Sequence, residues 1–261
     1  MNIVVCLKQV PGTSEVKINP ETNTLIRQGI KNIINPFDSY ALEEGVRLKE
    51  KFGGKVTAIS MGPAQAADML KEAISLGADE AFLLCDRAFA GADTWATAYT
   101  LAGAVNKLGQ IDLVICGRQS TDGDTAQVGP ETAEMLGAAF IAYVSQIEEI
   151  SASRIRVMRM IDEGYEIIQS SLPAVITVTK EINIPRLPSL RGIMRSKSAK
   201  IPLWTLQDLA LDPDRVGLNG SFTRVVKIFT PQQDKKAEMI QGEPEVQVAC
   251  LFNKLKEGGL V

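Results

Sequence analysis

Short apolar runs of strand length recur through the first two thirds of the chain, each followed by a stretch with helical spacing. This alternation is the strongest constraint on the fold. The runs are Ile3 to Leu7, Lys55 to Met61, Ala81 to Cys85 and Leu113 to Cys116. Strands buried on both faces read as continuous apolar segments, and parallel neighbours need a crossover between them. Asn35-Pro36-Phe37-Asp38 predicts a helix start, with Leu42, Val46 and the stem of Lys49 on one face to about Phe52 and Gly53-Gly54 as the stop. A second helix is expected from about Ala64 to Leu76, closed by Gly77, and a third after an Asp93 N-cap, carrying Trp95, Tyr99 and Ala102 to about Leu108. Between the first two runs, Val16 to Ile18 and Thr24 to Ile26 predict a hairpin around the turn-rich Asn19 to Asn23. Further on come a helix from about Pro130 to Leu136, an antiparallel pair of Arg154 to Met160 and Tyr165 to Ser170, and a last strand at Ala174 to Val178. The expected fold class is α/β, three layers α/β/α around a mostly parallel sheet.

Composition narrows what such a fold can do. With 261 residues, 45% of them hydrophobic, 23% charged and a net charge of −3, the chain can bury a core and is not disordered by composition. It contains no histidine, which excludes Ser-His-Asp triads, Cys-His dyads, imidazole bases and His-ligated zinc. Cys6, Cys85, Cys116 and Cys250 are far apart with no C-x-x-C pair, so this chain alone assembles neither a zinc ribbon nor an iron–sulfur cluster. No catalytic side chain and no metal are expected; the chemistry is expected from something bound. The N-terminal residues lack a basic start, and no run of about 18 apolar residues occurs, so no membrane span and a cytoplasmic location are expected.

The character changes after residue 180. Ile182 to Gln207 holds no acidic residue but carries Arg186, Arg191, Arg195, Lys197 and Lys200 among Pro185, Pro188 and Pro202, and reads as a basic connecting loop. Nucleic acid is not expected there, because the run lacks interleaved aromatics and the protein is acidic, with pI ≈ 5.3. Beyond it, periodicity is weak until a helix from about Glu245 with Val248, Leu251, Phe252 and Leu255 on one face. The expected division is an α/β domain at 1–182, a basic loop at 183–202 and a C-terminal arm at 203–261 that seeks a partner subunit.

In open α/β sheets ligands bind beyond the carboxyl ends of the strands. After the fourth strand runs Gly117-Arg118-Gln119-Ser120-Thr121-Asp122-Gly123-Asp124-Thr125-Ala126-Gln127-Val128-Gly129-Pro130-Glu131. Its glycines permit tight turns and close approach, its hydroxyls are donors, and Pro130 suits the first turn of a helix whose free N–H groups attract phosphate. A long polar surface loop is the alternative, since the run is neither G-x-G-x-x-G nor G-x-x-x-x-G-K-[ST]. Cys6-Leu7-Lys8-Gln9 and Met61-Gly62-Pro63 leave the first two strands on the same edge, either framing an adenosine or simply ending the strands. By pattern Asn35 reads as an ordinary helix cap, and Lys8 as a solvated strand-end charge or a ligand contact.

Several long motifs in order, VCLKQVPGT, INPFDSYALEEGVRLKEKFGG, VTAISMGPAQA, LGADEAFL, CGRQSTDGDTAQVGPETAEMLG, LPAVITV and PRLPSLRGIMRSKSAKI, resemble the beta (small) subunit of electron transfer flavoproteins over essentially the whole chain. The resemblance implies a fold of the adenine nucleotide alpha hydrolase-like (HUP) type, an extended C-terminal arm, and a heterodimer with an alpha subunit that holds the electron-carrying FAD. In housekeeping members the beta site holds AMP; in electron-bifurcating members it holds a second FAD. Asp122 to Pro130 resembles the bifurcating version, in which NADH gives hydride to this flavin. One electron then passes to a low-potential acceptor, ferredoxin or flavodoxin, and the other to the alpha-subunit flavin serving a flavin-dependent dehydrogenase. The resemblance puts the adenosine end against Cys6, Leu7, Lys8, Asn35 and Met61 and the phosphates on Ser120 to Pro130. It matches Arg186 to Lys200 to a recognition loop whose Leu190, with Arg191, Arg195 and Lys197, docks on the dehydrogenase. A stand-alone nucleotide-binding stress or signalling domain is the alternative of another class; the basic loop and the arm argue against it.

Overall fold

The structure, a computed structural model, describes residues 1–12, 32–226 and 237–261. They fall into two units, Met1–Val226 and Lys227–Val261. In chain order the first unit contains β1 (Asn2–Cys6), β2 (Gln9–Pro11), β3 (Asn32–Ile34), α1 (Pro36–Phe52), β4 (Lys55–Met61), α2 (Ala66–Leu76), β5 (Glu80–Leu84), α3 (Thr94–Leu108) and β6 (Leu113–Gly117). It continues with α4 (Val128–Leu136), β7 (Ala139–Ile150), β8 (Arg154–Ile161), β9 (Gly164–Ser171), β10 (Ala174–Val178), α5 (Leu190–Ser198), β11 (Leu203–Trp204) and α6 (Leu206–Leu209).

One nine-stranded sheet has the order β11-β5-β4-β1-β6-β10-β7-β8-β9. It is parallel as far as β7 and antiparallel across β7, β8 and β9. Alternation along the central strands divides the core. Ile3 and Val5 pack with Leu42, Val46 and Leu70 of α1 and α2, whereas Val4 and Cys6 pack with Leu101 and Val105 of α3 and Ala133 of α4. This is the expected three-layer α/β/α fold. Burying each such aliphatic side chain contributes on the order of 2 kcal/mol, which is why the apolar runs at the sheet centre dictate the architecture.

The helix signals act as expected. Pro36 opens α1, and Gly53, at φ 72°, returns its N–H to the Lys49 carbonyl. Asp93 accepts the Ala96 N–H at 3.1 Å at the start of α3, and its second oxygen accepts the N–H groups of Phe222 and Thr223 at 2.8 and 3.0 Å, which anchors the end of the unit.

The structure adds elements that sequence patterning does not show. β7 was not expected: Tyr143 has φ 57°, and the register with β8 shifts twice, so the apolar and polar faces exchange along the strand and alternation is lost. Within the expected loop 183–202, residues 190–198 form the helix α5, capped by Ser189 Oγ accepting the Gly192 N–H. The arm begins later than residue 203: β11 pairs with β5, Trp204 stacks on Phe82 at 4.1 Å, and Leu209 and Val216 are buried, so 203–226 belongs to the first unit. The hairpin expected at Val16–Ile26 lies outside the described residues. The second unit carries α7 (Pro244–Glu257), none of whose residues is buried.

Candidate nucleotide site

Register puts the carboxyl ends of the central strands at one edge: Cys6 lies opposite both Ile59 and Cys116, and Val178 opposite Gly117. Lys8, Met61 and the loop from Arg118 therefore leave the sheet side by side. The side chains of Cys6 and Leu7 are buried, so backbone is what they offer there. The Cys116 thiol is pushed up by its hydrogen bond with Cys6 and by burial, which makes it an inert core group.

The floor of this edge is built by the first turn of α1. Asp38 Oδ2 accepts the Lys8 N–H at 2.7 Å and Oδ1 accepts Asn35 Nδ2 at 2.8 Å. Burial pushes the Asp38 pKa up to about 7 against these bonds and the Lys8 charge. A Cβ on Gly117 would lie 2.3 Å from Asp38 Oδ1 and 2.6 Å from the Phe37 carbonyl carbon, so the strand ends in glycine because α1 sits against it. Asn35 stands at the N-cap of α1 but makes no side-chain capping bond. Its Nδ2 donates to the Gln119 carbonyl at 2.9 Å and its Oδ1 accepts the Thr121 N–H at 3.1 Å. Sequence reasoning singled out neither Asp38 nor Gln119; the signal available for Asp38 was an acid within a predicted apolar contact.

Lys8 Nζ reaches Asp122 Oδ1 at 2.6 Å and Ser120 Oγ at 3.3 Å, so it closes over the loop instead of standing free. On the other side, Arg118 Nε donates to Gln119 Oε1 at 2.7 Å, Gln119 Nε2 donates to Asp124 Oδ1, and the guanidinium lies over the rings of Phe37 and Tyr143 at 5.2 and 5.7 Å. Of the three glycines, Gly123 lies in the turn closed by the Asp124 N–H on the Ser120 carbonyl at 2.9 Å, while Gly117 and Gly129 serve close approach; the left-handed positions fall on Asp124 and Ala126, at φ 53° and 56°. Left- and right-handed residues in succession, here Ala126 and Gln127, make the concave run of N–H groups that binds anions.

Helix α4 starts at Val128, two residues before the expected position, with Pro130 still in its first turn. Its N-cap Gln127 makes no side-chain capping bond. Among the described residues nothing accepts from the backbone N–H groups of Thr125, Ala126, Gln127, Val128 or Gly129. A Cβ on Gly129 would lie 2.5 Å from Thr177 Cγ2, so this glycine lets α4 pack closely on β10. In the same turn Glu131 Oε1 accepts the Thr94 hydroxyl at 3.1 Å, while its buried Oε2 has no partner among the described residues. Five unused amides and one orphaned carboxylate oxygen suit a ligand that carries both phosphate oxygens and hydroxyl or N–H donors. Met61 leaves β4 on the same edge, and no hydrogen bond ties its neighbour Gly62 to the loop; that N–H donates to Leu84. Among the described residues no cluster of three or more metal-ligating groups occurs.

The residues expected to dock a partner lie apart, on α5. Leu190 is 83% exposed, and Arg191 and Lys197 are exposed. Arg195 is exposed as well, but its guanidinium is engaged, donating to the Ile74 carbonyl at 2.8 Å and to the Ala78 carbonyl at the end of α2.

Residues 22–209 match the family described as electron transfer flavoprotein domain. The chain belongs to the electron transfer flavoprotein family. Similar proteins include the electron transfer flavoprotein subunit beta of Thermoanaerobacterium thermosaccharolyticum, 50% identical over 256 residues and 98% of each chain. The caffeyl-CoA reductase-Etf complex subunit CarD of Acetobacterium woodii is 46% identical over 263 residues and the whole of both chains. Protein FixA of Azotobacter vinelandii is 42% identical over 248 residues, 92% of this chain and 88% of the other. Membership of the electron transfer flavoprotein family makes the chain part of a flavin-based electron transport system, and its beta-type relatives imply an alpha-subunit partner. No helix among the described residues is long and apolar enough to cross a membrane.

Proposed function

We propose that this chain is the small subunit of a bifurcating electron transfer flavoprotein, holding FAD in the cradle formed by residues 118–129. The observation that carries this reading is the run of amides from Thr125 to Gly129 at the start of α4, which have no acceptor among the described residues and can serve the oxygens of a diphosphate. When bound, FAD would supply hydride acceptance from NADH and the parting of the two electrons between a low-potential acceptor, ferredoxin or flavodoxin, and the alpha-subunit flavin. The residues of this chain bind and orient. The amides of 125–129 would meet the diphosphate, Glu131 Oε2 would accept from a hydroxyl or ring N–H, and Lys8 adds positive charge at the loop's other end. No side chain is asked to move a proton.

The similarity to a caffeyl-CoA reductase-Etf complex subunit supports the bifurcating reading and leaves the served dehydrogenase open among acyl-CoA, caffeyl-CoA and lactate systems. The uncovered apolar face of α7, with Val248, Leu251 and Phe252 at 68%, 50% and 56% exposure, supports an arm that packs on the alpha subunit. It disfavours a stand-alone nucleotide-binding domain. The housekeeping alternative puts AMP in the same cradle. A flavin and nucleotide count on the purified heterodimer separates the two: two FAD per heterodimer is expected, whereas one FAD with one AMP would leave a single-electron carrier.

A further inference from the structure

The flavin reading uses the backbone of 125–129 and leaves one cation of the same loop without a task. Arg118 follows β6, and its guanidinium lies over two rings, Phe37 of α1 at 5.2 Å and Tyr143 of β7 at 5.7 Å. Its Nε donates to Gln119 Oε1 at 2.7 Å, and Gln119 Nε2 in turn holds Asp124. Tyr143 is kept left-handed, at φ 57°, with its N–H donating to the Thr177 hydroxyl at 3.2 Å. A bulky residue is strained there and persists only where its surroundings hold it. The stem of Arg118 is therefore fixed, yet Nη1 and Nη2 meet no acceptor among the described residues. The nearby carboxylates of the loop are taken, Asp122 by Lys8 and Asp124 by Gln119.

We propose that the Arg118 side chain binds the hydride donor, gripping the diphosphate of the incoming dinucleotide with its free fork. This rests on the reading of 125–129 as the seat of the flavin's diphosphate. A guanidinium held flat against aromatic rings presents two parallel N–H groups, which match the paired oxygens of a phosphate better than a lysine's point charge does. Phe37 belongs to the α1 layer of the sheet, whereas the unused amides open α4 in the opposite layer, so fork and amides form two anion positions. The reaction brings two dinucleotides to this edge, each with a diphosphate. The flavin stays on the amides, and the donor, which must leave after each turnover, is held by a single side chain.

The test uses the heterodimer with both flavins in place, so that the cradle is filled. ADP-ribose, which carries the donor's diphosphate but no nicotinamide, is titrated by calorimetry into wild type, Arg118→Gln and Arg118→Lys. NADH oxidation by an artificial acceptor gives KM and kcat for the same proteins, each with a flavin count and a thermal melt. In Arg118→Gln, ADP-ribose binding weakens roughly tenfold or more and KM rises to match, with kcat within about twofold and the flavin count unchanged. Arg118→Lys keeps the charge without the fork and falls between. Wild-type affinity and KM in Arg118→Gln would overturn the role. Loss of the beta-site flavin from Arg118→Gln would give the fork to the flavin and overturn it equally. If Arg118→Gln does not fold, Arg118→Lys decides by the same readouts. A wild-type heterodimer carrying AMP in place of the second FAD would instead overturn the flavin reading itself.

Discussion

The loop at 118–127 and the segment at 183–202 both read as loops in the sequence, yet they are held in opposite ways. The loop is fastened from beneath by the buried amide of Asn35, itself held by the Asp38 carboxylate, and it leaves backbone amides outward. The other segment is fastened by its own arginines. Arg186 grips Glu43 and Glu50 of α1 at 2.8 and 2.6 Å, and Arg195 meets carbonyls at the end of α2, where a cation complements the helix dipole. What 183–202 leaves outward is apolar: Ile184, Leu187, Leu190 and Met194 are exposed. The first arrangement suits an anion bound by rigid backbone; the second suits a protein surface. Two arginines of the basic run therefore build the segment, and the charges free for steering a partner are Arg191, Lys197 and Lys200.

The largest effect expected from this contrast is at Gly117. A methyl there meets Asp38 and Phe37 backbone atoms, so Gly117→Ala lowers stability by about 3 kcal/mol, read from the denaturant midpoint. Gly123→Ala, whose Cβ meets only the side-chain ends Ser120 Oγ at 3.3 Å and Lys8 Nζ at 3.9 Å, changes it by about 0.5 kcal/mol or less; equal effects at the two glycines would mean that α1 does not seat the loop. Arg186→Ala follows, with a loss of about 2 kcal/mol, because it strands the buried Glu43 carboxylate while the exposed Glu50 rehydrates. Its pH dependence has a definite sign. The Arg186 bond holds the Glu50 carboxyl below its usual 4.5, so this contribution is present above that value and is lost as pH falls through the depressed one. Acid melts of wild type and Arg186→Ala should converge; parallel curves down to low pH would remove the bridge from the balance. The smallest stability effect is at Leu190. Leu190→Ala leaves the melt unchanged within about 0.5 kcal/mol, because the side chain is 83% exposed, and slows electron transfer to the dehydrogenase. Unaltered transfer kinetics would take Leu190 out of the docking surface.

How much of this was legible in the chain depends on whether the cause was local. β4 at Lys55–Met61 and α3 from Thr94 follow from an apolar run and from an N-cap three residues before the N–H it accepts, and both were readable. β7 was not, since its bulges destroy the alternation that marks a strand. α5 was not, because its mounting is tertiary: Gly192 lies against the Ser75 carbonyl, where a Cβ would come within 2.1 Å, and Arg195 reaches α2. At the site, the loop was visible by position after a central strand, but its shape rests on left-handed Asp124 and Ala126, residue types that do not announce that conformation as glycine does. Asn35 looked like a cap because it precedes Pro36; the contact that defines it is 86 residues away, at Thr121.

Amide hydrogen exchange on the heterodimer, with and without FAD at the beta site, tests the cradle most directly. The amides of Thr125 to Gly129 have no acceptor among the described residues and are expected to exchange fast without ligand, and strong protection confined to them and to Ser120–Asp124 is expected when FAD binds. Exchange at 125–129 that stays fast with the second flavin in place would contradict the cradle, whatever else the flavin touches.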